Sequence, residues 1–374
     1  MTEYKMCKRC VMDTSDPEIT FDENGVCNHC HTYDRMVRQY VVDGEAGLHE
    51  IERITEKIRR DGQGKQYDCV IGVSGGVDST YVAYLVKKYG LRPLAVHLDN
   101  GWDSELAVKN IEETLKRLGI DLYTEVLDWK EFKDLQVAFL KASTPDSEIP
   151  SDHAINAILG KMAERLGVKY IIIGTNVRTE SHLPRAWSQG HSDWKYIRGL
   201  HQQFGSRPLK TFPHYDFLTF YRRMFTQKRV EILNYVGYNK TEALGVLQNE
   251  LGWRYYGGKH YESIYTRFYQ GYILPQKFGF DKRRSHLSSL ICSGEITREK
   301  ALEELQIPTY SPSMQEEDRE YVAKKLGFSE EEFNAMMNAP KKTYWDYPSY
   351  GRFMNQPFVQ KLVPVVKKVV GWFK

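Results

Sequence analysis

The sequence predicts an α/β protein: a doubly wound parallel sheet, preceded by a cysteine-rich module and followed by a mostly helical region. Three features carry that expectation. Residues 70–73 form a short, apolar, β-branched run, suited to a strand buried on both faces. The run passes directly into Ser74-Gly-Gly-Val-Asp-Ser79 and then into a stretch where Val82, Leu85, Val86 and Tyr89 fall at helical spacing. Strand-like and helix-like runs continue to alternate as far as residue 176, the pattern of right-handed βαβ units.

A chain of 374 residues has room for roughly two to three structural units and a sizeable core. Its 52 Lys+Arg nearly balance 49 Asp+Glu, so no global basic field points to a nucleic-acid partner. There is no apolar signal segment and no run long enough to span a bilayer. No transmembrane segment and a cytoplasmic location are therefore expected. The 25 Tyr and 7 Trp suit a cleft lined with flat rings as well as an ordinary core.

Taken in order, residues 1–35 read as a four-cysteine zinc-binding module. Cys7-x2-Cys10 and Cys27-x2-Cys30 have knuckle spacing, with the Asp22-Glu-Asn-Gly25 turn doubling the chain back between them. Four thiolates close a coordination sphere, so the zinc is expected to be structural. Two disulfides, or ligation by His29 or His31, are the competing readings. Residues 45–180 read as the nucleotide-binding domain. An amphipathic helix with Leu48, Ile51, Ile54 and Ile58 on one face leads into the first strand. Strands follow at 93–98, 122–127 and 169–173, with helices over Leu106 to Leu118 and 155–166.

Ser74-Gly-Gly-Val-Asp-Ser79 makes an anion site. The first N–H groups of a helix lack intrahelical partners, and the aligned peptide dipoles favour negative charge there. Gly75 and Gly76 clear Cβ atoms from the path of phosphate oxygens, while Ser74 and Ser79 add hydroxyls. No Lys-Ser/Thr pair ends the loop, so it differs from a Walker A motif. Ligands in doubly wound sheets sit at the carboxyl ends of strands. Here those ends are residues 74–79 (Val77 and Asp78 included), Asp99-Asn-Gly-Trp102 and Gly174-Thr-Asn176, expected to converge on one nucleotide.

Residues 181–310 read as a substrate-binding region that completes the catalytic site. Arg185, Arg222, Lys259, His260, Glu262, Arg267 and Arg283 are the candidate substrate contacts, with an ordinary surface loop or solvated basic face as the alternative. The loop itself lacks a cation to neutralise charge developing on pyrophosphate. Lys277 and Lys282, flanking an expected turn, are the candidates for that role. Residues 311–374 read as a helical extension ending in an apolar tail with interspersed lysines, in which Pro364 breaks any helix.

The six-residue loop resembles the PP-loop of the N-type ATP pyrophosphatases. With both cysteine pairs and the 259–284 cluster, the chain is similar to the bacterial N-acetyl sugar amidotransferases of surface-polysaccharide biosynthesis, from Met6-Cys-Lys-Arg-Cys-Val-Met-Asp13 to about Arg298. The resemblance implies adenine and ribose contacts at Asp99 and Asn100, and ATP with Mg²⁺, Asp78 being a partner of the ion. It further implies conversion of an acetamido to an acetamidino group on an N-acetylated, nucleotide-linked sugar through an O-adenylyl imidate, with AMP and pyrophosphate released. Neither Cys69 nor Cys292 stands in a glutaminase setting, so a separate glutaminase subunit is expected to supply ammonia. The alternative is a tRNA thiolase of the same superfamily, which generally needs further catalytic cysteines.

Overall fold

A computed structural model describes residues 3–258 and 261–356. Its centre is a five-stranded parallel sheet, built from β1 (Cys69–Gly72), β2 (Pro93–Asp99), β3 (Asp121–Val126), β4 (Tyr170–Ile173) and β5 (Lys228–Glu231), in the order β3-β2-β1-β4-β5. β1 pairs Ile71 with Ala95 on one side and with Ile172 on the other. It is central, and Cys69, Val70 and Ile71 are fully buried, which explains its unbroken apolar character. Successive β1 side chains point to opposite faces and enter different cores. Val70 joins Phe139, Ile158 and Leu159 on one face, and Ile71 joins Val82, Val86, Ile111 and Leu115 on the other.

The chain winds from β1 to β2 and β3 in one direction, then returns to place β4 and β5 on the other side of β1. The order reverses between β1 and β4, where a doubly wound sheet opens a crevice at its carboxyl edge. The loops leaving those two strands are residues 74–79 and Gly174-Thr-Asn176.

Several boundaries differ from the sequence expectation. The first crossover helix begins at Val77 rather than near residue 81, because the second glycine of the loop is already its N-cap. The helix expected from residue 155 is Ile149–Leu166; Pro150 sits in its first turn, where a missing N–H costs nothing. The helix Trp129–Ala142 has no counterpart in the sequence expectation. Nor has β5, whose Lys-Arg-Val-Glu sequence is too short and charged to read as a strand. β5 carries the sheet past residue 180, into the stretch assigned to substrate binding. Tyr269–Phe278 is a π-helical segment with Pro275 inside it, where proline lacks a donor N–H. The C-terminal helices Arg298–Gln306, Pro312–Leu326 and Glu330–Asn338 match the expected helical character.

The N-terminal module docks on the helix Arg283–Ser293 and on Arg298. Val11 donates its backbone N–H to Ser288 Oγ at 3.2 Å, and Arg284 pairs with Asp13 at 3.0 Å. Arg298 donates to the carbonyls of Cys10 and Cys7, both at 3.0 Å. No helix among the described residues is long and apolar enough to cross a membrane. Lys259, His260 and the apolar tail lie outside the described residues.

Candidate active site and metal centre

The loop after β1 is shaped by two neighbours. Gly75 has φ +78°, and a Cβ there would lie 2.9 Å from the Ala107 carbonyl oxygen, so both backbone conformation and space demand glycine. Buried Trp253 donates its indole N–H to the Gly75 carbonyl at 3.0 Å. Inside the loop, Ser79 Oγ accepts from Ser74 N at 3.2 Å, and Gly76 N donates to Ser74 Oγ at 3.3 Å. Thr80 Oγ1 donates to the Gly76 carbonyl at 2.7 Å. Gly174 presses against this turn; a Cβ there would come within 3.1 Å of Ser79 N. β1 and β4 therefore deliver Ser74 to Ser79 and Gly174 to one place, at the positive end of a helix.

Tyr238 and Tyr256, which sequence reasoning does not single out, close this place together with Glu262, a predicted substrate contact. Tyr238, nearly fully buried, donates its hydroxyl to Asp78 Oδ1; burial, then the Asp78 charge, pushes the phenol pKa up. Tyr256 hydrogen-bonds Glu262, and burial followed by the Glu262 charge raises its pKa too. Both side chains face the loop, within 3.6 and 3.7 Å of where a Gly76 Cβ would stand. Glu262 also accepts the Ser104 N–H at its carbonyl, 2.8 Å, which joins the 261–264 segment to the exit of β2. Beneath the loop, His97 bridges the Val73 carbonyl, 3.0 Å, and Asp103, 3.3 Å. Burial opposes its protonation, but Asp103 outweighs burial and raises its pKa.

A second cluster lies beside the exit of β2. Asn100 donates to Ser151 Oγ at 3.0 Å, in the first turn of Ile149–Leu166. Around that turn His191 stands 3.3 Å from both Asp146 and Asp152, and Lys282 stands 3.4 Å from Glu148. Gln270 donates to Glu148 at 2.7 Å. Burial opposes a charged His191, yet Asp146 and Asp152 push its pKa up to about 9. Burial also opposes Asp146 ionisation, but His191, Lys282 and Ser188 bring it down to about 2. Desolvation, with the repulsion of Asp146 and Glu148 and against the pull of His191, raises the Asp152 pKa, although about half of the side chain is open to solvent.

The other predicted residues divide sharply. Asp99 Oδ1 accepts from Gly101 N at 2.8 Å, at the strand end where the sequence places it. Thr175 is exposed. Asn176 is buried, capping the short helix Val177–Glu180 through Thr179 N at 3.0 Å and donating to Thr179 Oγ1 at 3.0 Å. Lys277 must be corrected. Its ammonium is bound to the carbonyls of Met336, Met337 and Ala339, where it satisfies the orphan acceptors ending the helix Glu330–Asn338. Burial, and then Lys341, lowers its pKa to about 8. Arg267 makes a two-pronged pair with Asp318, 2.7 and 2.8 Å. Arg283 pairs with Asp281 and donates to the Glu304 and Ile307 carbonyls. Arg222 pairs with Glu164 at 2.8 Å. These three arginines fasten helices, and Arg185 is exposed. Basic residues near a motif read as ligand contacts because sequence spacing does not reveal where an acidic partner folds.

The four N-terminal cysteines converge. All are fully buried, with Cys10 and Cys27 Sγ atoms 3.7 Å apart, Cys27 and Cys30 3.7 Å, and Cys7 and Cys30 3.9 Å. Thiolates about 2.3 Å from a tetrahedral zinc stand about 3.8 Å from one another, so the set fits that ion. Cys7 Sγ also receives backbone N–H groups from Arg9, Cys10 and Cys27 at 3.4, 3.4 and 3.2 Å, which favours a thiolate. His29 and His31 turn instead to Asp16 and Asp22, at 2.6 and 2.9 Å. Cys292 lies with Cys30 and His182, while Cys69 is buried in β1, where burial raises its pKa.

Residues 262–362 match the family model of the LPS biosynthesis protein WbpG-like, C-terminal domain. An uncharacterized protein of Methanocaldococcus jannaschii is 27% identical over 320 residues, covering 84% of this chain and 97% of that one. The tRNA-specific 2-thiouridylase MnmA of Tolumonas auensis is 30% identical over 150 residues, covering 36% of this chain and 38% of that one. Among solved structures, the NH3-dependent NAD synthetase from Campylobacter jejuni is 13% identical, with a TM-score of 0.31, over 79% of this chain and 98% of that one. The C-terminal part of the chain is thus similar to that of WbpG-like LPS-biosynthesis proteins, and a stretch of 150 residues is similar to a tRNA-specific 2-thiouridylase.

Proposed function

We propose that this chain is the ATP-dependent synthetase subunit of an amidotransferase. It would convert the acetamido group of an N-acetylated, nucleotide-linked sugar to an acetamidino group for lipopolysaccharide assembly. The observation that carries the reading is the pairing of a cation-free phosphate loop with a separate acid–base cluster at the same edge of the sheet, in a chain whose C-terminal part is WbpG-like.

The loop's N–H groups and the Ser74 and Ser79 hydroxyls hold the β,γ-phosphates, while Asp99 and Asn100 mark the nucleoside side. Asp78 would hold Mg²⁺, an ion that would supply charge neutralisation for the leaving pyrophosphate. Tyr238 keeps Asp78 aimed. An amide carbonyl is a poor electrophile because its nitrogen donates into it. When its oxygen attacks the α-phosphorus, the P–O bond to pyrophosphate breaks and the carbonyl carbon acquires AMP as a leaving group. Ammonia adds at that carbon, loses a proton, and expels AMP to leave the amidine. The cluster of Asp146, Glu148, Asp152, His191 and Lys282 faces this second step. Asp152, half open to solvent and 3.3 Å from His191, with its pKa raised, is the acceptor for the proton that ammonia sheds. With Lys277 committed elsewhere, Lys282 is the lysine assigned to the site, holding Glu148 in place.

Cys69 is buried in β1, and Cys292 stands with Cys30 and His182 beside the four-cysteine centre. Neither serves as a glutaminase nucleophile, so ammonia comes from a partner glutaminase. The purified chain with ATP, Mg²⁺ and the sugar is expected to work on ammonium salts and not on glutamine until that partner is added. Glutamine-driven turnover by the chain alone refutes the division of labour. A tRNA thiolase reading draws on the 2-thiouridylase similarity, but it lacks a pair of cysteines at the loop. Filter binding to tRNA, tight and salt-resistant, would revive it.

A further inference from the structure

We propose that a second zinc ion binds beside the four-cysteine centre, held by Cys30, His182 and Cys292, with the Cys30 thiolate shared between the two ions. The inference rests on the reading of the four cysteines as a zinc site and extends it.

Three segments distant in sequence bring these donors together. Cys292 Sγ lies 3.8 Å from Cys30 Sγ and 3.6 Å from His182 Nε2, and all three atoms fall within 4.8 Å of one another. With zinc–sulfur bonds of about 2.3 Å and zinc–nitrogen bonds of about 2.0–2.1 Å, a tetrahedron has edges of about 3.8 Å between sulfurs and about 3.5 Å between sulfur and nitrogen. Both observed spacings match those edges. Cys292 groups with Cys30 but not with the whole set of Cys7, Cys10 and Cys27, so it belongs to a second tetrahedron that meets the first at one vertex.

The imidazole is also set for ligation. Ser289 Oγ donates to the Ser285 carbonyl at 3.2 Å, so toward His182 Nδ1, 3.0 Å away, it acts as acceptor. That places the ring proton on Nδ1 and leaves the Nε2 lone pair facing Cys292. Such an outer hydrogen bond is the usual means of fixing a metal-binding tautomer. His182 is fully buried and packed near Tyr33, with ring centroids 5.4 Å apart, so it cannot swing away. Soft sulfur with one imidazole suits zinc over magnesium or calcium. Three protein donors leave the fourth position to water. The second ion would tie the N-terminal module to the segment after β4 and to the helix Arg283–Ser293, whose first residues adjoin Lys282.

Metal analysis of the full chain, loaded with zinc and freed of excess, tests this. The expected content is two zinc per chain in the wild type, falling to one in Cys292→Ser and in His182→Gln. One zinc per wild-type chain overturns the proposal while leaving the four-cysteine site standing; none at all overturns both. Two zinc retained in both variants also overturns it. Should either variant fail to fold, cobalt titration of the metal-free wild type decides. A second equivalent that adds thiolate charge-transfer absorption and tetrahedral visible bands supports the shared site, and saturation after one equivalent overturns it.

Discussion

Replacing each loop glycine by alanine separates the architecture of the phosphate loop from its function. At Gly75 the added Cβ meets the Ala107 carbonyl oxygen at 2.9 Å and the Ala107 Cβ at 3.3 Å, on a backbone with φ +78°. The left-handed conformation costs an L-residue roughly 1–2 kcal/mol, and forcing a methyl against a neighbouring helix adds about 1–3 kcal/mol. Gly75→Ala is therefore expected to lose roughly 2–5 kcal/mol and to melt on the order of 3–6 °C lower. Gly76 differs: φ is −73° and ψ 162°, and its nearest neighbour would be the rotatable Ser74 hydroxyl at 3.2 Å. Gly76→Ala is expected to keep stability within about 1 kcal/mol. Its methyl, however, enters the space between Ser74, Tyr256 and Glu262, so ATP affinity is expected to fall about 10²-fold, near 2.7 kcal/mol. Thermal melts with and without ATP·Mg²⁺, together with AMP release, report both effects. Wild-type ATP binding in Gly76→Ala, or an unshifted melt in Gly75→Ala, refutes the reasoning.

Three further expectations rest on the same geometry. Lys277→Met should lower stability through the exposed ends of Glu330–Asn338 yet leave the ATP Michaelis constant unchanged, whereas Lys282→Met should cut turnover; the opposite ranking in steady-state kinetics would return Lys277 to the phosphates. Cys10→Ser should lower zinc content and melting temperature together, because structural zinc binding is coupled to folding, and metal analysis with calorimetry checks it. His191 has its folded pKa raised to about 9. The stability it contributes is thus fully present below about pH 6.5 and lost as pH rises through about 9, on the order of 1–3 kcal/mol after allowance for partial exposure. Denaturation midpoints of wild type and His191→Asn should converge across that window; a constant gap would show that the charge on His191 does not matter.

The parts legible in sequence are those whose signal is local. β1 is apolar because it is central, residues 74–79 are adjacent in the chain, and knuckle spacing brings Cys7 near Cys10 before any tertiary contact forms. The acid–base cluster is hidden because Asp146, His191 and Lys282 come from three separated segments and meet only after Ile149–Leu166 packs under β2. Tyr238, Tyr256 and Trp253 read as core aromatics, and they are largely buried; their polar atoms reveal a role only once Asp78, Glu262 and the Gly75 carbonyl are located. Lys277 misleads for the converse reason. A lysine near a turn looks free until the helix end that consumes it, about sixty residues later, folds against it. The Thr144-Pro-Asp-Ser-Glu148 run ahead of a helix is the one available hint of the acidic cluster.

The central claim is that ATP is split between its α- and β-phosphates to activate an amide oxygen. Incubating the purified chain with ATP, Mg²⁺, ammonium and a panel of N-acetylated nucleotide sugars, and analysing nucleotides and sugars together by mass spectrometry, tests it most directly. The account predicts AMP and pyrophosphate in equal amounts with a sugar whose acetamido oxygen has been replaced by an imino group. ADP and phosphate as the products, or AMP release while every sugar stays unchanged, would contradict it.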